Sequence, residues 1–281
     1  MPGSVRYSAA LGDAEAREFI PFMHELIGAA FAVVRRYFLS GAAVLTKSDA
    51  TPVTQADRGA EQAMRALIEA RYPEHGVLGE EFGIKEAARC AVRYRWVLDP
   101  IDGTRAFISN CFLFGTLIAL ERDDGHGFRP LLGTIAHPAA GVALIGHARE
   151  CRLYASDGTE RLARVRACSR LADATVLATT HWSTGEQSGG AAVENLIRGA
   201  KLYRTWGDCF GYFAVATGGA DVMLDPTLSY WDVAAIVPVI EGAGGCVTGW
   251  HGGSPLAPPS LIASSGAVHS EVLQVLHASA A

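Results

Sequence analysis

The 281-residue sequence predicts an α/β protein of layered sheets and helices, α+β in its first half. Three observations predict it. Apolar residues up to Arg71 recur at helical spacing. From Arg95 to Ala155 short apolar segments follow one another, broken by Gly, Asp and Pro. Beyond them, strand-like and helix-like segments alternate to the end of the chain.

Leu26, Ile27, Ala30, Phe31, Val34, Tyr37 and Phe38 form one helical stripe, closed by Arg35 and Arg36. Pro21 either opens this helix or kinks a turn that begins near Asp13. A second helix is expected from Thr54 to Arg71, with Ala60, Met64, Leu67 and Ile68 inward and Pro73 and Gly76 behind it. Arg95 to Asp99 reads as a buried strand ending at Pro100. Gly115 to Glu121, Leu131 to His137, Val142 to His147 and Arg152 to Ala155 read as an antiparallel meander. Strands are then expected at Val176 to Thr180, Asp221 to Leu224 and Leu261 to Ser264. Helices are expected at Ala191 to Arg198, Asp208 to Thr217, Trp231 to Ala243 and Ala267 to Ala278. The chain divides near residue 150, giving halves 1–150 and 151–281 with no linker between them.

Composition excludes several classes. Apolar residues make up 49% and charged residues 19%, enough for a sizeable core and too apolar for a disordered chain. The formal net charge of −5 argues against sequence-independent nucleic-acid binding, which needs a basic surface. No uncharged apolar run approaches the ~20 residues of a membrane span. The N-terminal MPGSVRYSAALGDAEARE lacks the apolar core of a signal peptide, so a cytoplasmic protein is expected. Cys90, Cys111, Cys151, Cys168, Cys209 and Cys246 lie far apart, which argues against a zinc site or a disulfide framework.

Acidic residues carry the chemistry. In Trp96-Val-Leu-Asp99-Pro-Ile-Asp102-Gly-Thr104 an apolar strand delivers two aspartates at its end, where Pro100 turns the chain. The Ile101 carbonyl is then free to be a third oxygen ligand. Gly103 and Thr104 open a helical turn whose N–H groups suit a phosphate. The bland alternative is that Asp99 and Asp102 only cap a turn. Gly79-Glu80-Glu81-Phe82-Gly83 adds two glutamates between glycines. Asp57 starts one helix and Asp232, after Trp231, another. Each aspartate could merely complement its helix dipole, and the glutamates could be ordinary turn residues. Convergence changes the picture. Two carboxylates about 4 Å apart repel by about 4 kcal/mol at an effective dielectric near 20. Divalent cations relieve that repulsion, and an all-oxygen set selects a hard ion such as Mg²⁺ over zinc.

With these residues the chain resembles the inositol monophosphatase superfamily. The motifs are Gly79-Glu80-Glu81, Asp99-Pro-Ile-Asp102-Gly-Thr104, and Trp231-Asp232-Val-Ala-Ala followed by Gly244-Gly245. The resemblance implies an αβαβα sandwich like that of fructose-1,6-bisphosphatase. It also implies a homodimer and hydrolysis of a small-molecule phosphate ester with two to three Mg²⁺ ions. It implies metal ligation by Glu80, Asp99, the Ile101 carbonyl, Asp102 and Asp232, with Asp57 helping to hold a weaker ion. Glu80 and Thr104 would orient the attacking water, and Gly103 and Thr104 would cradle phosphate.

Within the superfamily, Arg204-Thr-Trp206-Gly207-Asp208-Cys209-Phe210-Gly211-Tyr212 resembles the histidinol-phosphate phosphatase branch of histidine biosynthesis. So do Thr104-Arg105-Ala-Phe107-Ile108-Ser109 and Phe114-Gly115-Thr116-Leu117-Ile118-Ala119-Leu120. Asp225, in Met223-Leu224-Asp225-Pro226, matches a substrate-contacting acidic position. Histidinol phosphate carries an ammonium group and an imidazole, and Asp208 and Asp225 are carboxylate partners for a cation held away from water. Trp206 or Phe210 could stack on the imidazole. Alternatively Asp208 caps the helix that begins there, Trp206 is core, and Arg204 pairs with a nearby acid. Lys47 either touches phosphate or is a surface lysine.

Three rival readings are an inositol-1-monophosphatase or sugar/nucleotide phosphatase, a haloacid-dehalogenase-like phosphatase, and a non-catalytic phosphate-binding relative. The haloacid-dehalogenase scheme separates its two aspartates by one residue. Here Pro100 and Ile101 separate them by two, which changes how the side chains point along a strand.

Overall fold

The computed structural model describes residues 6–40, 44–46, 52–181, 190–257 and 260–278, so Lys47 lies outside the described residues. Up to Leu162 the chain holds the helices α1 (Asp13–Tyr37), α2 (Gln55–Arg71) and the short α3 (Thr104–Ile108). Its strands are β1 (Val44–Thr46), β2 (Pro52–Thr54), β3 (Gly76–Gly79), β4 (Gly83–Lys85), β5 (Arg93–Asp102) and β6 (Gly115–Asp123). They continue as β7 (Arg129–His137), β8 (Val142–His147), β9 (Glu150–Ala155) and β10 (Glu160–Leu162). Then come β11 (Thr175–Ala178), α4 (Gly190–Gly199), β12 (Leu202–Arg204), α5 (Asp208–Ala216) and β13 (Val222–Asp225). The described chain closes with α6 (Tyr230–Gly242), β14 (Gly245–Thr248), β15 (Leu261–Ser265) and α7 (His269–His277).

Among the described residues eight strands form one sheet in the order β10-β9-β8-β7-β6-β5-β3-β4, five form a second in the order β12-β11-β13-β15-β14, and β1 and β2 form a pair. Strand alternation explains the layers. Trp96, Leu98, Ile118 and Leu120 point to one face of the large sheet and pack with Phe22, Met23, Leu26 and Met64 of α1 and α2. Val97, Leu117, Ala119 and Ile135 point to the other face, toward α5, α6 and the second sheet. Val176, Val222, Leu224 and Ile262 point away again, onto α4 and α7. The result is the expected αβαβα stack. Its middle helix α6 is buried along the whole stretch from Asp232 to Gly242, as its all-round apolar sequence requires.

Two local expectations are corrected. The first helix opens at Asp13 rather than at Pro21, which lies inside it on an exposed face where water can satisfy the carbonyl that proline leaves without a partner. The strand from Arg95 does not stop at Pro100. It continues to Asp102 through an irregularity between Asp99 and Asp102, where the ladder to β6 is interrupted. Proline fits there because no ladder N–H is needed, and the Pro100 carbonyl instead accepts the Thr116 hydroxyl at 2.8 Å.

Candidate active site

The register of the large sheet brings the acids together. β3 lies parallel to β5 with Gly79 opposite Leu98, and the Glu80 N–H donates to the Leu98 carbonyl at 3.1 Å. β3 therefore ends where β5 reaches Asp99, with Glu80 beside Asp99. The turn Glu80-Glu81-Phe82 joins β3 to β4. It is anchored from below by Glu61, a fully buried carboxylate one helical turn after Asp57. Glu61 accepts the Glu81 N–H at 2.8 Å, the Phe82 N–H at 3.2 Å and Arg65 Nε at 2.7 Å. A Cβ on Gly79 would lie 1.9 Å from its Oε1, so glycine is required.

Two helix N-termini supply acids by the same device. Asp57 and Asp232 are each the third helical residue in a capping box. Asp57 Oδ2 accepts the Thr54 N–H at 2.7 Å and hydroxyl at 2.6 Å; Asp232 Oδ2 accepts the Ser229 N–H at 2.8 Å. The capping and functional readings are thus compatible, since Oδ1 takes no part in either box.

Asp99, Asp102 and Asp232 each offer a carboxylate oxygen within 4.8 Å of the others. Burial, followed by the charges of Glu80, Asp102 and Asp232, pushes Asp99 well above the carboxylate range. Burial and then Asp232 push Asp102 up to about 8, against hydrogen bonding from Cys209. Burial pushes Asp232 up to about 7 although the Ser229 N–H and Asp99 pull it down. Asp57 is raised by burial, with a further push from Glu80. Glu80 therefore acts electrostatically on Asp57, Asp99 and Asp232 alike. The Thr104 hydroxyl donates to the Ile101 carbonyl at 3.1 Å.

The second half adds another pair of acids. Gly103, at φ 79°, is so close to Asp208 that a Cβ there would lie 2.9 Å from Asp208 Oδ2. Asp208 is itself left-handed at φ 49°, a region that aspartate tolerates better than most residues. Asp225 is buried and accepts the Tyr212 hydroxyl at 2.8 Å. Burial, then Asp102, pushes Asp208 up to about 7; burial pushes Asp225 to about 7 against hydrogen bonds from Thr179 and Tyr212. Gly207 is buried, and a Cβ on it would lie 2.1 Å from Thr179 Cα. Arg204 is exposed and its Nη1 bonds the Tyr203 carbonyl at 2.7 Å; Trp206 is 45% exposed and so is not core. Phe210 packs beside His137 and Phe213 with ring centroids 5.6 and 6.3 Å away.

Residues 15–281 match the inositol monophosphatase family. The chain belongs to that family. It is 38% identical over 209 residues to a histidinol-phosphatase of Chlorobaculum parvum, covering 74% of this chain and 76% of that one. It is 35% identical over 238 residues to the histidinol-phosphatase of Streptomyces coelicolor, covering 83% and 87%. Its fold aligns with an inositol monophosphatase from Zymomonas mobilis at a TM-score of 0.78 and 33% identity, over 95% and 99% of the two chains. As a member of this inositol monophosphatase family the protein is a phosphoric monoester hydrolase.

Members of the family generally depend on a metal, and the residues present fit a hard cation. The oxygens gathered from Asp99, Asp102 and Asp232 include no imidazole or thiol. Asp99 Oδ1 is buried without a hydrogen-bond partner among the described residues, as an oxygen reserved for a cation would be. No helix among the described residues is long and apolar enough to cross a membrane.

Glu61 and Thr179 do not stand out as site residues in the sequence. Glu61 looks like any polar position of an amphipathic helix; its i+4 spacing from Asp57, which puts both on one face, was the available signal. Thr179 carries no signal in the sequence, because its role depends on which strands lie side by side.

Proposed function

We propose that this phosphatase hydrolyses L-histidinol phosphate by direct attack of water, with Mg²⁺ held by Glu80, Asp99, the Ile101 carbonyl, Asp102 and Asp232, and a weaker ion helped by Asp57. The observation that carries the substrate reading is the contact between Asp208 and Gly103. It sets a carboxylate against the very turn whose N–H groups, at Gly103 and Thr104, would receive the phosphate.

When bound, two to three Mg²⁺ ions would offset the mutual repulsion of the carboxylates and render a water acidic enough to attack at neutral pH. Glu80 and the Thr104 hydroxyl would orient the attacking water. Gly103 and Thr104 fix the ester so that its phosphorus faces the acidic cluster. Asp208 and Asp225 take the cationic end of the substrate, where burial makes an unpaired cation costly and an ion pair selective. Gly207 keeps Asp208 close to the site, and Arg204 and Trp206, both exposed, are further substrate contacts in this reading. The reading includes a homodimer in the cytoplasm acting on a small phosphate ester, with neither nucleic acid nor membrane as partner.

Side-by-side kcat/KM values for L-histidinol phosphate and inositol 1-phosphate test this reading. We expect histidinol phosphate to be preferred by at least tenfold. Equal values, or a preference for inositol 1-phosphate, would return the substrate to the inositol phosphates.

A further inference from the structure

Thr179 stands where the two substrate-facing acids meet. β11 and β13 are parallel neighbours with Ala178 opposite Leu224, so Thr179 and Asp225 sit side by side where the two strands end. The Thr179 hydroxyl and N–H pull the Asp225 carboxyl down against the push of its burial. The Thr179 Oγ1 also accepts the Asp208 N–H at 3.0 Å. Thr179 therefore lies between the two acids, bonded to the backbone of one and next to the carboxylate of the other.

The surrounding backbone allows little movement. Gly207 lies directly on Thr179, with room for no Cβ. Asp208 begins α5 in the left-handed region. Its N–H is one of the donors that a helix start leaves without an internal partner. Without Thr179 Oγ1 that N–H has no partner in the contacts described, and the left-handed turn loses the bond that holds it. The Tyr212 hydroxyl still holds Asp225, so the freedom released by losing the threonine hydroxyl falls mainly on Asp208.

We propose that Thr179 is a positioning residue for substrate choice: its hydroxyl holds Asp208 and Asp225 as a pair spaced for a cationic phosphate ester. This rests on the reading of those two acids as the cation's partners. Thr179 touches none of Asp99, Asp102 and Asp232 in the contacts described, so its removal changes selection rather than the hydrolytic step.

The test uses the full chain with Mg²⁺ and compares kcat/KM for L-histidinol phosphate with that for glycerol 2-phosphate, whose organic part is neutral. Thr179→Val is expected to reduce the preference for histidinol phosphate about tenfold or more through KM. Glycerol 2-phosphate hydrolysis should stay within about twofold of wild type. Thr179→Ser, which keeps the hydroxyl, should retain the preference. If Thr179→Val fails to fold, Thr179→Ala removes the same hydroxyl without placing a methyl against Asp225. A preference that survives loss of the hydroxyl, or that falls equally in Thr179→Ser, overturns the inference alone. A wild-type enzyme with no preference between the two esters overturns the cation-pair reading and this inference with it.

Discussion

The backbone N–H of Cys209 donates a short hydrogen bond to Asp102 Oδ2, joining the start of α5 to the end of β5 across 107 positions of sequence. Asp102 thus has a structural bond on one oxygen and a place in the acidic group. Asparagine can keep the first through its amide oxygen but removes the charge needed for the second. Asp102→Asn should therefore fold normally by circular dichroism and melting. Its kcat should fall by about 10²–10³-fold, the range seen for loss of one charge-stabilising group. Near-wild-type turnover would remove Asp102 from the metal assignment.

The raised carboxyl pKa values make the metal-free protein sensitive to pH in a definite direction. Asp102 is held near 8, Asp232, Asp208 and Asp225 near 7, and Asp99 well above the ordinary range. Between pH about 4 and 8 the folded state consequently binds more protons than the unfolded state, and stability falls as pH rises. After metal removal the melting temperature should drop by several degrees between pH 5.5 and about pH 8 on this linkage. Added Mg²⁺ should restore it, and by more at the higher pH. A melting temperature that rises with pH in the metal-free protein would contradict the buried-acid account.

Glu61 anchors the turn that presents Glu80 by accepting three donors on two oxygens. Glutamine at this position turns an amino group toward one of those donors, a cost of about 1–3 kcal/mol for a buried unsatisfied group. Glu61→Gln should lower the melting temperature. It should also raise the Mg²⁺ concentration for half-maximal activity several-fold, with kcat at saturating Mg²⁺ changed much less. A magnesium titration of activity separates the two effects.

Gly207 and Thr179 are in backbone contact, and a methyl group on Gly207 would fall 2.1 Å from Thr179 Cα. Gly207→Ala must push β11 and the start of α5 apart, at about 1–3 kcal/mol if the strain is spread as in other overpacked cores. Thermal melting reads the loss of stability. Turnover of histidinol phosphate should fall more than that of glycerol 2-phosphate, because Asp208 moves with the residue before it.

Much of this arrangement was readable from residue order. Apolar periodicity marked the long helices and the meander because burial imposes spacings of 3.6 and 2. The strand end at Asp99 and Asp102 was legible because an apolar run carries carboxylates into a Gly-Thr turn. The short hairpin of β3 and β4 was not legible as strands: three or four residues give no period, and only its pairing with β5 makes it a strand. Pro100 was misread as a stop because its missing N–H matters only where a ladder needs one, and the irregularity beside Asp102 removes that need. The exposure of Arg204 is set by the edge position of β12, which is a property of sheet order.

The most direct measurement is phosphate release from L-histidinol phosphate by chelator-stripped protein, before and after Mg²⁺ is returned. The account predicts negligible release without the ion, recovery that saturates with Mg²⁺, and no recovery in Asp102→Asn. Undiminished release from the stripped protein, or none at any Mg²⁺ concentration, would contradict it.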